Sequence, residues 1–244
     1  LLESFVDECQ QNGVPISSFH YGSGYSSRGK QRYVFTWNTS KFPDPERVNA
    51  KFHAAGMKLV ANLKPCLLDD HPAYAELASQ GAFIEHEDSR QPVVEPYWDG
   101  QGSHLDFTRA QAIQWWQSQL KAQILQRGID VGWNDNNEYA ILDDDAVSGG
   151  FGKSIPMHRS KPLHSLLMTR ATYEAQQDMA SQPIYTVSRA GSPGIQRYAQ
   201  TWSGDNTTSW RTLKWNIRTG LQMSLSGMFN IEVILTRAAP GQFH

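Results

Sequence analysis

A parallel α/β fold is predicted, and three features of the sequence predict it. Short apolar, β-branched runs alternate with longer helix-like stretches along the chain, without internal repeat or low-complexity linker. Several of these runs stop abruptly at a charged or polar residue. The stretches richest in Gly, Pro and charge, residues 69–102 and 143–162, have the composition of long loops between elements. Alternation of this kind is what strand–crossover–strand units produce, because two parallel strands need a long connection that is usually a helix.

The elements follow in order. The chain opens inside a helix that ends before Pro15, and residues 15–19 (PISSF) read as the first strand. Residues 57–63 (MKLVANL) form a second, closed by Lys64. A helix is expected over residues 110–127, where Ile113, Trp116, Leu120 and Ile124 recur at helical spacing. Residues 129–133 (IDVGW) are a buried strand that runs straight into Asn134, Asp135, Asn136, Asn137 and Glu138. Residues 184–188 (IYTVS) repeat that plan and end in Arg189, followed by the loop AGSPG. Residues 197–202 then lead into Ser203, Gly204 and Asp205, and residues 227–231 (GMFNI) are the last strand candidate. In a parallel barrel the charged groups at strand ends converge on one face, and that face carries the chemistry.

Two of those ends are tryptophan-led carboxylate motifs, Trp133 to Glu138 and Trp202 to Asn206. Cleavage of a glycosidic bond with retention needs two carboxyl groups across a sugar, one ionised to attack the anomeric carbon and one protonated to serve the leaving oxygen. Asp135 and Asp205 fit those roles.

At this point the residues resemble a known family. The chain is similar to the catalytic barrel of glycoside hydrolase family 31, the α-glucosidase and α-xylosidase group, whose motifs are W-x-D-M-N-E and R-x(8)-Y-x(3)-W-x-G-D. The first is matched with Asn136 in place of Met, the second by Arg189, Tyr198, Trp202, Gly204 and Asp205. Residues 42–45 (FPDP), 56–60 (GMKLV), Trp98 with 106–108 (DFT), and 225–227 (LSG) match further, in family order. The resemblance implies a (β/α)8 TIM barrel, incomplete at both ends, with its first strand missing and its last strand or strands missing or replaced. It implies a retaining α-glycosidase, foremost an α-glucosidase, with Asp135 as nucleophile and Asp205 as acid/base. Substrate contacts would come from Arg189, Trp98, Trp133, Trp202, Asn136, His20 and Lys64, and Trp202 would also shield Asp205 from water. Burial or the charge of Asp135 would keep Asp205 protonated. An α-xylosidase, an α-transglucosylase and a sugar-binding barrel without turnover are the alternatives.

Departures are visible too. Many family members carry a sugar-binding aspartate that falls here at about Gly22, so His20 stands as its substitute or as a structural residue; Lys64 is a substrate contact or half of a structural ion pair. The domain is expected to end at residue 231. Residues 232–244 depart from the family's G-x-D-x-G-G-F pattern, as a genuine tail or as a reading-frame slip, and are expected to pack poorly.

Composition excludes other classes. With 244 residues, 39% hydrophobic and a net charge of −2, the chain can bury a core and has no electrostatic attraction for nucleic acid or an anionic membrane. No apolar run approaches the ~20 residues of a membrane span, and no signal-peptide layout is present. Two cysteines, Cys9 and Cys66, make no disulfide framework and point to a reducing, cytoplasmic setting; since Leu1 is no initiator, a lost leader stays open. Residues 150–154 (GFGKS) miss the phosphate-loop pattern at Val147 and meet Pro156 where a helix should run. Asp135 to Glu138 lack the glycine and distal glutamate of a calcium loop, and residues 143–145 (DDD) read as a solvated loop. No cofactor or metal is called for; the expected partner is an oligosaccharide or glycoside.

Overall fold

The computed structural model describes residues 2–97, 99–181 and 183–232. Its centre is a sheet of six parallel strands, β1 (Ser18–Tyr21), β2 (Lys58–Leu63), β3 (Val131–Asn134), β4 (Val187–Ser188), β5 (Gln200–Trp202) and β6 (Ile231–Glu232). Their order across the sheet is their order along the chain, and every pairing is parallel. A doubly wound sheet reverses its order at a switch point; this one never does. It winds in one direction, as the wall of a barrel does, with β1 as one edge among the described residues.

Helices α1 (Leu2–Gln11), α2 (Pro45–Ala54), α3 (Tyr74–Ser79), α4 (Ala110–Gln119), α5 (Met157–Gln177) and α6 (Trp210–Leu225) follow in chain order. The connections from β1 to β2, β2 to β3, β3 to β4 and β5 to β6 carry α2, α4, α5 and α6, whereas β4 reaches β5 through a single 3₁₀ turn, Ile195–Arg197. The expected helix over 110–127 is continuous but changes pitch. It widens into a π turn at Leu120–Ile124, where Trp37 Nε1 takes the Gln123 carbonyl at 2.7 Å, and ends in a 3₁₀ turn before Gly128.

Helix α5 lies close on β3. The Gly132 N–H donates to Gln176 Oε1 at 2.6 Å, and a Cβ on Gly132 would stand 2.7 Å from Thr172 Cγ2. Only glycine allows that approach. Trp116 of α4, fully buried, donates from Nε1 to Thr172 Oγ1 at 2.9 Å, so one threonine ties α4 to α5 while α5 covers β3.

Several sequence expectations need correction. Residues 69–102 are no plain loop: they hold α3, the short strand Glu85–His86, and the strands Glu95–Pro96 and Gln101–His104, which form an antiparallel ribbon with Cys66–Leu68. The loop expected over 143–162 ends early, because α5 starts at Met157 and takes Pro162 inside it. The strand expected over 184–188 is only Val187–Ser188: Gln176 Nε2 occupies the Tyr185 carbonyl (3.0 Å), whereas the Thr186 carbonyl still accepts the Gln200 N–H (3.0 Å). The last strand is Ile231–Glu232 rather than 227–231. Residues 233–244, and with them the expectation about the tail, lie outside the described residues.

Candidate active site

Register builds the site. Leu63 pairs with Asn134 and Asn134 with Ser188, so the next residues, Lys64, Asp135 and Arg189, form one row at the C-terminal edge of the sheet. The ladder runs on into that row: the Asp135 N–H donates to Leu63 O at 2.8 Å and the Arg189 N–H to Asn134 O at 2.9 Å. Ser188 pairs with Thr201, which brings Trp202 beside Arg189. Side chains alternate along a strand, so Asn62, Lys64, Trp133, Asp135, Arg189 and Trp202 share the face turned away from the helices.

Asp135 is buried, accepts from three donors and pairs with a fourth group. Its Oδ2 receives Asn62 Nδ2 (2.9 Å) and Lys64 Nζ (2.6 Å); its Oδ1 receives the Asn136 N–H (2.9 Å) and faces Arg189 Nη1 (3.1 Å). Burial alone would raise its pKa, but the charge and hydrogen bond of Lys64, the bond from Asn62 and the charge of Arg189 together hold it below the usual carboxylate value. Burial conversely lowers the pKa of Lys64, and Asp135 opposes that shift.

Arg189 joins the two motifs. Its Nε and Nη2 grip Glu138 as a fork, at 2.5 and 3.1 Å, while Nη1 lies 3.1 Å from Asp135 Oδ1 and 3.6 Å from Asp205 Oδ2. Those two contacts laid end to end place the oxygens within about 7 Å of each other, against the ~5–5.5 Å between the carboxyl groups of retaining glycosidases and the ~6.5–9.5 Å of inverting ones. Glu138, Arg189, Trp202 and Asp205 line one open hollow.

The environment of Asp205 differs from the sequence expectation. Its side chain is 77% exposed, so Trp202 does not shield it from water. Trp202 is itself buried, edge-on to Trp133 with ring centroids 5.5 Å apart. His20, on β1, sits with its ring 6.2 Å from that of Trp133 and its Nε2 3.4 Å from Ser18 Oγ. Asn136 takes a left-handed backbone (φ 51°), which asparagine tolerates better than most residues, and its Oδ1 accepts from Lys64 Nζ. Trp98 lies outside the described residues.

Four contributors were not singled out from the sequence. Asn62 was hidden inside an apolar strand; its signal is the polar pair Asn62 and Lys64 at period two. Glu138 belonged to the motif but had no role until Arg189 met it. Asn137, fully buried, donates from Nδ2 to Ser188 Oγ (2.9 Å) and accepts the Ala190 N–H at Oδ1 (2.9 Å), bracketing Arg189. Asp99 is gripped by Arg32 through Nε and Nη2, both at 2.6 Å, and the pair lines a small cavity with Lys64, Cys66 and Tyr97. Among the described residues no cluster of His, Cys, Asp or Glu has metal-holding geometry, and no helix is long and apolar enough to cross a membrane.

Comparison with known proteins bears on the family and the fold. Residues 2–232 match the model of the glycosyl hydrolases family 31 TIM-barrel domain. The chain is 28% identical over 253 residues to an α-glucosidase of Saccharolobus solfataricus, covering 91% of this chain and 35% of that one. It is 28% identical over 211 residues to a neutral α-glucosidase C of Macaca fascicularis, covering 81% and 27%. Among solved structures, an α-xylosidase of the same family from a soil metagenome, complexed with xylose, superposes with a TM-score of 0.84 at 20% identity, over 95% of this chain and 34% of that one. The chain therefore spans about a third or less of the length of these relatives.

Proposed function

Because the chain belongs to glycosyl hydrolase family 31, we propose that it carries the catalytic centre of a retaining α-glycosidase acting on α-linked glucosides or oligosaccharides. The observation that supports this best is the single Arg189 nitrogen facing both Asp135 and Asp205. We read the six parallel strands as part of an eight-stranded barrel, and residues 1–231 as its catalytic domain.

The chemistry follows from the two environments. Asp135, held ionised, attacks the anomeric carbon from Oδ1, the oxygen on the side of Asp205. Asp205 gives its proton to the leaving oxygen as the glycosidic bond breaks, and a glycosyl ester forms on Asp135. Water then attacks the same carbon, Asp205 takes its proton, and the bond to Asp135 returns its electrons to the carboxylate. Sugar laid in the hollow lies against Asp205. Trp133 and Trp202 offer apolar ring faces to the sugar, while His20, Asn136 and Trp98 are proposed as polar or stacking contacts around it.

The test is hydrolysis of aryl α-glucosides and α-xylosides by the full-length protein, with the anomeric configuration of the product followed by NMR. Release with retention, fastest on the α-glucoside, is expected. Best turnover on the α-xyloside would move the specificity, and inversion would overturn the mechanism. Asp135→Ala should cost on the order of 10⁴-fold in kcat on every substrate. Asp205→Ala should hurt poor leaving groups far more than activated ones and be partly rescued by azide.

A further inference from the structure

Lys64 is set apart from the residues that open onto the hollow. Its side chain is 15% exposed, and its ammonium donates to two protein acceptors, Asp135 Oδ2 and Asn136 Oδ1. It reaches Asp135 at the oxygen opposite the one facing Arg189 and Asp205. Asn62 Nδ2 meets that same oxygen from two residues earlier on β2. One oxygen of Asp135 is thus fixed by two donors of a single strand, while the other accepts the Asn136 N–H and faces Arg189, on the side of Asp205.

We infer that Lys64 is a positioning residue for Asp135 rather than a sugar contact: it locks the rear oxygen and anchors the left-handed turn at Asn136, so that Oδ1 alone is presented to the substrate. This rests on the reading of Asp135 as nucleophile. Its effect differs between the two halves of the reaction. Before attack, the ammonium favours the ionised carboxylate. Once Oδ1 is bonded to the sugar, Oδ2 becomes an ester carbonyl that still accepts from Lys64 and Asn62. As water adds to the anomeric carbon and the C–Oδ1 bond breaks, negative charge returns to the carboxylate, and a preplaced cation stabilises that change without reorganising. Lys64 therefore speeds the second step above all.

Among the described residues, other charges also stand around the pair. Arg189 stands across Asp135, with Glu138 and Asp205 behind it. Arg32 acts on Asp135 and Lys64 at longer range and carries Asp99 with it; Cys66 lies within range of Lys64. Of these groups only Lys64 both bonds the rear oxygen and bears a charge.

The experiment uses Lys64→Met, Lys64→Gln and Lys64→Arg in the full-length protein. For Lys64→Met the acid limb of the kcat/KM profile should move to higher pH, since losing a neighbouring cation raises the pKa of the carboxylate. With an activated α-glycosyl fluoride, the glycosyl-enzyme should accumulate and kcat fall on the order of 10²-fold. Lys64→Gln should shift the limb likewise, and Lys64→Arg should restore most of it. A rise in KM with an unmoved acid limb would make Lys64 a sugar contact, and a lower Tm with neither change would make it a structural ion pair; each overturns the inference. Infrared difference spectra against Asp135→Asn report the protonation of Asp135 without turnover. They decide the point even where a variant is inactive, and an inactive wild type would count against the proposed function alone.

Discussion

Asn137→Ala tests whether the turn after β3 is what sets Arg189 in place. The alanine keeps the backbone carbonyl that Ser165 Oγ donates to at 2.6 Å, but removes both side-chain bonds across to β4. Ser188 loses little, because its hydroxyl still donates to Ala190 O at 2.8 Å and accepts from Thr169 at 3.1 Å. The Ala190 N–H, by contrast, is left in a partly buried site with no acceptor. A neutral hydrogen bond contributes about 1 kcal/mol net and an unsatisfied buried group costs about 1–3 kcal/mol, so the loss should be about 2–4 kcal/mol. At about 2–4 °C per kcal/mol for a domain of this size, the transition should fall by about 4–16 °C in calorimetry. Arg189 sits between the two residues that Asn137 holds. Its grip on Asp135 and Asp205 should loosen, lowering kcat/KM about tenfold well below the transition, on the scale of about 1.4 kcal/mol. A transition within about 2 °C of wild type would refute the bracing role, since it would mean the two bonds contribute almost nothing. An unchanged kcat/KM with the expected loss of stability would show that Arg189 is held by Glu138 alone.

Two further outcomes are expected. Gly132→Ala should cost about 1–3 kcal/mol by overpacking against Thr172, which is fixed from two sides and cannot yield; an unchanged Tm in calorimetry would show that α5 can slide off β3. Asp130 lies at the other end of β3; burial raises its pKa, but the Leu59 N–H, Lys58 and His53 outweigh that and hold it low. A depressed folded pKa stabilises above the unfolded value of about 3.9 and ceases to do so as pH falls through the folded one. The Tm advantage of wild type over Asp130→Asn should be full near neutrality and shrink below about pH 4; an advantage that grows on acidification would contradict the assignment.

How much of this was legible in the sequence depended on what each feature rests on. Strand β2 was readable because both its faces are buried and its residues are apolar almost throughout. The end of β3 was readable because a burial boundary coincides with a run of five polar residues. Strand β4 was overdrawn: a side chain of α5 takes the Tyr185 carbonyl, and no local pattern announces a glutamine from another element. The two aspartates could be found from motifs. The exposure of Asp205 could not, since it depends on how the loop after β5 lies against Trp202. The coupling of Asn62, Lys64 and Asp135 depended on which residue of β2 stands opposite which residue of β3, a quantity that period-two alternation constrains only by parity.

That same register gives the molecule a way of failing safely. Lys64, Asp135 and Arg189 come from three strands and meet only because Leu63, Asn134 and Ser188 are level. A slip of one residue in any of the three would send its charged end to the helix side, among the buried hydroxyls and amides of Thr169, Thr172 and Gln176 and away from its ion-pair partners. A misthreaded chain therefore loses stability and the ion-pair row in a single event. Quality control that removes unstable chains would remove the inactive ones with them, and folded molecules should be uniform in activity.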